Sequence, residues 1–361
     1  MDIFSLLSTA KARGASDMHL VVSSPPMLRV NGSMTPMDNM EPLSEEDTQQ
    51  ALQQLTTPEQ IEDFQHHMEL DFSYSMPDIG RVRCNAAQER KSVSMVIRLL
   101  PNIIPTIQDL GLPEVCQDLI TKPRGLVVIS GPTGSGKSTT LAAMVQYLNA
   151  NKERRLITIE DPIEYIYSNN KCTVTQRELG SDTKSFAEAL RHVLRQDPDV
   201  ILVGEMRDTE TAAAVLNVAE TGHLVLTTGH APSASQAIER IMDLFPPHER
   251  GLVQGQIASL ILGVICQVLV PTVNGSGRKA AVEVMLGITP VKNLIREGKI
   301  HQLPNVIRTH AQLGMKTFDQ ALVNLYMGEE ISEDNLFAFC NDREEVERLI
   351  GSGVIPSRLP L

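Results

Sequence analysis

The stretch that most limits what this chain can become is Gly131 to Ser138, reading Gly-Pro-Thr-Gly-Ser-Gly-Lys-Ser. It fits the phosphate-loop pattern of glycine, four residues, then Gly-Lys-Ser/Thr, and its flanks give the match its weight. Before it, Leu126, Val127, Val128 and Ile129 form a short apolar run suited to a buried strand. Behind it, Leu141, Ala142, Met144, Val145 and Leu148 recur at helical spacing. The loop therefore joins a strand to a helix start. Gly131, Gly134 and Gly136 allow the backbone to curl, with Pro132, Thr133 and Ser135 between them, until several amides point into one hollow. The helix beginning near Lys137 and including Thr139 adds its positive end. Such a hollow suits a polyphosphate, with Lys137 reaching the β- and γ-phosphates and the Ser138 hydroxyl placed to ligate Mg2+.

At 361 residues the chain has room for two domains, and 42% hydrophobic content supplies a core for each. A net charge of −12 without a block of Lys or Arg opposes nucleic acid and anionic membrane as partners. The five cysteines are far apart and form no Cys-x-x-Cys pair, which argues against a zinc knuckle or a disulfide framework and for reduced, cytosolic thiols. The opening Met1 to Leu7 has neither a charged leader nor an extended apolar core. The longest apolar run, Ile257 to Val270, is broken by Ser259, Gly263 and Gln267; it is too short to span a bilayer and reads as a core helix.

Residues 1–100 read as a small α+β unit. Its elements are a first helix with Ile3, Leu6 and Leu7, strands at Met18–Val22 and Met27–Val30 with Asn31-Gly32 as a hairpin signal, and a helix over 44–65 opened by Ser44. Strands around Phe72–Ser75, Arg81–Cys84 and Val93–Leu100 follow. Residues 101–123, with prolines at 101, 105, 113 and 123, read as a connector and hinge. Residues 124–361 alternate strands (Leu126–Ser130, Leu156–Ile159, Val200–Val203, Leu224–Thr228) with helices, including 183–195 and 209–219. That alternation predicts an α/β fold built on a mainly parallel sheet covered on both faces. At the end, Glu344, Glu345 and Glu347 suggest a solvated helix, and Pro356–Leu361 a frayed tail.

Ligands of such a sheet bind beyond the carboxyl ends of its strands, and polar residues follow each of the four. After the first comes the phosphate loop; the others are followed by Glu160-Asp161-Pro162-Ile163-Glu164, Gly204-Glu205 and Gly229-His230. Cleaving a phosphoanhydride needs a metal ligand, a group that activates water and positive charge on the γ-phosphate. Glu205 is the candidate metal ligand and Glu164 the candidate base, with Glu160 and Asp161 as rivals. His223 and His230 bracket a strand and are candidates for sensing the γ-phosphate. Arg81 and Arg83, two apart on a strand, share a side; with Arg98 they are candidate arginine fingers, set against the reading of a solvated face.

At these residues the chain resembles the PilT-type retraction ATPases of type IV pili, within the secretion ATPase superfamily. The resembling stretches are Gly14 to Leu20, the phosphate loop, Thr158 to Glu164 (the family's Asp box), Val203 to Asp208 (its Walker B) and Thr221 to His230 (its His box). Val291 to Glu297 resembles the retraction signature, followed by Gly314 to Gln320. Two departures occur: Gly229 and Ala231 flank His230 where the family has Leu and Thr, and Pro290-Val291-Lys292 stands for Ala-Ile-Arg. The resemblance implies a PAS-like N-terminal domain, a RecA-like ATPase domain and a homohexamer binding ATP between its domains, completed by a neighbour. It assigns water activation to Glu164, magnesium to Glu205 and nucleotide sensing to His223 and His230. It further implies action at the cytoplasmic face of the inner membrane on a pilus platform protein, as the main retraction motor or beside a second one. Extension-type relatives carry a longer N-terminal region and a four-cysteine zinc site, neither of which is expected here. The rivals from other classes are a nucleic-acid translocase and a nucleotide switch that does not hydrolyse.

Overall fold

The structure, a computed structural model, describes residues 2–30, 32–77, 79–100, 103–275 and 277–351. It divides into two compact units: Met1–Ile103 with the short segment Glu164–Ile166, and Ile104–Ile163 with Tyr167–Leu361.

The first unit contains helix α1 (Ile3–Ala12), strands β1 (Asp17–Leu20), β2 (Met27–Val30) and β3 (Ser33–Pro36), and helices α2 (Glu45–Leu55) and α3 (Pro58–His67). Strands β4 (Glu69–Met76), β5 (Gly80–Glu89) and β6 (Ser92–Leu99) complete it. Its sheet runs β3-β2-β1-β6-β5-β4 with every neighbour antiparallel. Alternation puts Val82, Cys84 and Ala86 of β5 and Met95 and Ile97 of β6 into a core with Leu7 and Leu52. The helix expected over 44–65 is two helices. Pro58 cannot donate to a continuing ladder, and Thr57 starts afresh, accepting from Gln60 N–H at 3.3 Å while its own N–H donates to Gln60 Oε1 at 3.0 Å. The hairpin residue Asn31 lies outside the described residues, though β2 and β3 on either side of it pair in register.

The second unit opens with α4 (Val115–Ile120), whose Cys116, Leu119 and Ile120 are buried. Residues 104–123, expected to be a connector, thus pack as part of it; Pro101 and Asn102 of the expected hinge lie outside the described residues. Then come β7 (Gly125–Ser130), α5 (Lys137–Asn151), β8 (Arg155–Glu160), β9 (Thr173–Glu178), α6 (Phe186–Val193), β10 (Val200–Val203), α7 (Thr209–Glu220), β11 (Leu224–Thr228), α8 (Ala234–Asp243) and α9 (Arg250–Leu260). Two long strands, β12 (Ile261–Pro271) and β13 (Arg278–Leu286), precede helices α10 (Thr289–Arg296), α11 (Leu303–Thr309), α12 (Phe318–Met327), α13 (Glu333–Phe339) and α14 (Arg343–Gly351).

The seven-stranded sheet is ordered β13-β12-β7-β11-β10-β8-β9, parallel except for β13 at one edge. This is the RecA-like arrangement. The run Ile257–Val270 is not one helix: α9 stops at Leu260 and the remainder is β12, a strand between β7 and β13 in which Val264, Ile265 and Cys266 are fully buried. β-branched residues and burial on both faces explain why it is extended. Nor is α14 wholly solvated, because Glu345 is buried and pairs with Arg308 at 2.5 Å. Pro356–Leu361 lies outside the described residues. Among the described residues no helix is long and apolar enough to cross a membrane.

Candidate active site

Strand β7 is buried throughout and delivers the chain to Gly131 at the carboxyl edge of the parallel sheet. Gly131 has φ +142°, and a Cβ there would stand 2.2 Å from the backbone oxygen of Gln267 on β12, so only glycine fits. Gly134 and Gly136 are left-handed at +78° and +88°. Helix α5 then begins with Gly136 as its N-cap and no side-chain cap, which leaves its first-turn amides to a ligand. Lys137 is 9% exposed, and its Nζ donates to the carbonyls of Gly131 at 2.8 Å and Pro132 at 3.1 Å. The Ser135 hydroxyl is buried without a hydrogen-bond partner among the described residues. A buried ammonium, an orphaned hydroxyl and an uncapped helix start around one turn are what a polyphosphate would satisfy.

Sheet order sets the rim. With β11 between β7 and β10, His230 comes between the phosphate loop and Glu205. Val200–Val203 of β10 is buried, and Asp208 caps α7 by accepting from Thr211 N–H at 2.8 Å, which confines Gly204 to Arg207 to a short turn. The Thr228 hydroxyl donates to the Gly204 carbonyl and ties the ends of β10 and β11 together. Glu205, also 9% exposed, lies 2.5 Å from Arg207 Nη2 through Oε1 and 3.3 Å from His230 Nε2 through Oε2. A cavity of about 320 Å3 beside these groups is lined by Ser130, Arg207, His230 and Arg240 among others.

Of the carboxylates after β8, Glu160 is held: its Oε1 accepts from Thr158 Oγ1 at 2.6 Å and from Gln176 Nε2 at 3.1 Å. Asp161 is exposed. Glu164 is half-buried in the segment that groups with the first unit. His223 does not join the rim. It precedes β11, roughly 17 Å of strand away from His230, and its Nδ1 sits 3.1 Å from Thr221 Oγ1 and 3.2 Å from the Val218 carbonyl.

The three candidate arginine fingers lie on strands of the first unit, and two of them have partners there. Arg98 Nε donates to the buried Asp17 at 2.9 Å, and Arg81 Nη1 donates to Ser75 Oγ at 3.2 Å. Arg83, opposite Arg98 in register, is exposed. Burial pushes the Asp17 carboxyl up, but the Arg98 and Ser16 hydrogen bonds and the arginine charge outweigh it, and its pKa ends below the ordinary 3.8.

Three residues escaped the sequence reading. Arg207 was visible only as part of the Walker B stretch. Gln267 was visible only as a polar interruption in an apolar run. Glu283 of β13 is buried and accepts the Ala234 N–H that opens α8 at 2.6 Å. A single amide or acid inside a buried strand is a signal, since such a group needs a partner, but it does not say which.

A phosphate loop after the first strand of a RecA-like sheet, with an acid at the end of a neighbouring strand, defines a P-loop ATPase. The chain belongs to the family described as Type II/IV secretion system protein, which residues 70–315 match. It is 44% identical over 335 residues to the type IV pilus retraction ATPase PilT of Pseudomonas aeruginosa, covering 93% of this chain and 97% of that one. To the type IV pilus ATPase PilU of the same organism it is 41% identical over 353 residues, or 98% and 92% of the two chains. A crystal structure of the pilus retraction motor PilT with bound ADP matches with a TM-score of 0.91 at 40% identity, covering 96% of this chain and 99% of that one.

Proposed function

We propose that this chain is a motor ATPase that works as a homohexamer at the cytoplasmic face of the inner membrane and drives retraction of type IV pili through a platform protein. The observation that carries this reading is the rim beyond the carboxyl ends of β7, β11 and β10, where Lys137, His230 and Glu205 follow neighbouring strands, in a chain similar along nearly its whole length to pilus retraction ATPases.

In this reading the amides of Gly131 to Thr139 cradle the phosphates of ATP, and Lys137 exchanges its loop carbonyls for phosphate oxygens. The Ser138 hydroxyl and the Glu205 carboxylate would hold Mg2+. One hydroxyl and one carboxylate, completed by phosphate oxygens and water, is a donor set that suits this ion, which when bound neutralises charge on the β- and γ-phosphates. Glu164 polarises the attacking water. Thr158 and Gln176 already occupy Glu160, which favours Glu164 over that rival. His230, beside Glu205, reports the state of the γ-phosphate. Arg81 and Arg83 supply positive charge to it, whereas Arg98 is engaged by Asp17. His223 has no part in this set.

A second reading, an accessory motor beside the main one, is favoured by the similarity to PilU over 98% of the chain and by Pro290-Val291-Lys292 in the retraction signature. Complementation separates the two. Expressed in a host lacking its main retraction ATPase, this chain should restore twitching by itself if it is the main motor, and only together with another such motor if it is accessory. Twitching that is restored in neither background would reject both.

A further inference from the structure

We infer that Gln267 is a positioning residue for the phosphate loop, its side-chain amide holding the loop in the shape that receives a triphosphate. The inference rests on the reading of Gly131 to Thr139 as the nucleotide cradle. Strand β12 runs parallel to β7 with Cys266 paired to Ser130, so Gln267 stands level with the point where the loop departs. Its side chain is 2% exposed, and both ends of the amide are used. Nε2 donates to the Ser135 carbonyl at 2.6 Å, and Oε1 accepts from the Thr140 hydroxyl at 2.8 Å. Ser135 lies in the loop and Thr140 in the first turn of α5. One rigid amide thus fixes the spacing across the four residues, Gly136 to Thr139, that include Lys137 and Ser138.

The same residue shapes the loop in two further ways. Its backbone oxygen occupies the space a Gly131 Cβ would need, and its Nε2 would stand 3.1 Å from a Cβ at Gly136. In a planar trans peptide the carbonyl and the following N–H point in opposite directions. Drawing the Ser135 carbonyl toward β12 therefore turns the Gly136 N–H away from β12 and toward the hollow, where it is one of the donors that meet phosphate. A buried amide whose only task was core filling would need any two partners. This one takes them from the two sides of the loop it lines.

The test compares Gln267→Glu, Gln267→Met and Thr140→Val, reading the Kd of a fluorescent ADP analogue with magnesium, kcat and KM for ATP, and the melting temperature without nucleotide. Gln267→Glu keeps the shape and the acceptor for Thr140 but sets an oxygen against the Ser135 carbonyl. It should weaken ADP binding about tenfold or more and raise KM in step, beyond any change in the melting temperature of the free protein. Should the added charge prevent folding, Gln267→Met carries the same expectation. Thr140→Val should weaken binding severalfold alone and by less than about twofold when Gln267→Met is already present, because the two share one contact. Folded Gln267 variants that bind ADP within about twofold of wild type, or a Thr140→Val effect unchanged by Gln267→Met, would overturn the proposal. Lys137→Ala serves as the control. If it too binds normally, the cradle reading itself is wrong; if it alone loses binding, only the role of Gln267 is.

Discussion

At the scale of single residues, the sharpest contrast is between groups whose chemistry is spent on the fold and groups left for a ligand. Asp17 and Arg98 belong to the first kind. Removing Arg98 takes the nearest cation from a buried carboxylate and leaves it to Ser16 and the more distant Arg29, so Arg98→Ala should lower unfolding stability by about 1–2 kcal/mol, while Arg83→Ala, on an exposed side chain, should change it by less than about 0.5 kcal/mol. The lowered pKa of Asp17 sets the sign of its pH dependence. Its contribution is present above the unfolded value near 3.8 and is lost as pH falls through the folded one, so urea titrations should show a shallower acid limb in Arg98→Ala than in wild type. Lys137 and Glu164 belong to the second kind. Lys137→Ala should abolish turnover, and Glu164→Gln should cut kcat about a hundredfold with nucleotide binding retained. Turnover of Glu164→Gln within about twofold of wild type would return the choice of base to Asp161 or Glu160.

At the scale of elements, what the sequence showed and what it hid follow from burial and sheet position. The four central strands were legible because each is a short, mainly apolar and buried run ending in a polar or glycine-rich turn, and β10 and β11 fall on the expected residues. The edge strand β9, Thr-Val-Thr-Gln-Arg-Glu, was missed because it is half exposed and carries no apolar run. β12 was mistaken for helix because a continuous apolar segment has no period to read, and only its partners β7 and β13 decide its conformation. With β12 hidden, Gln267 was hidden too, and with β13 unread so was Glu283. The hairpin presents these two residues from neighbouring positions, Cys266 pairing with Glu283 and Gln267 with Val282, one toward the phosphate loop and the other toward the start of α8. Burial raises the Glu283 pKa above its ordinary 4.5, so the contribution of this group is full below that value and is lost as pH climbs through the folded one. The stability of wild type relative to Glu283→Gln should therefore fall as pH rises above the ordinary 4.5, as followed by urea unfolding; a rise would contradict the assignment.

At the scale of the whole molecule, the phosphate loop announced the class of enzyme, and the resemblance along the chain supplied the pilus context that no spacing of residues contains. Residues gathered from strands far apart in sequence, His230 beside Glu205 and Gln267 under Gly131, needed the sheet order before they could be placed together. If rings form as proposed, doping Arg83→Ala subunits into wild-type assemblies should depress hydrolysis below the wild-type fraction. A strictly proportional loss would confine that arginine to its own chain. The central claim is that the carboxyl edge of the parallel sheet grips a magnesium triphosphate. It is tested most directly by a crystal structure with a non-hydrolysable ATP analogue and manganese in place of magnesium, locating the metal by its anomalous signal. The account predicts a metal peak between the Ser138 hydroxyl and the Glu205 side of the rim, with the γ-phosphate on Lys137. A triphosphate bound away from Gly131 to Thr139, or a metal remote from both Ser138 and Glu205, would contradict it.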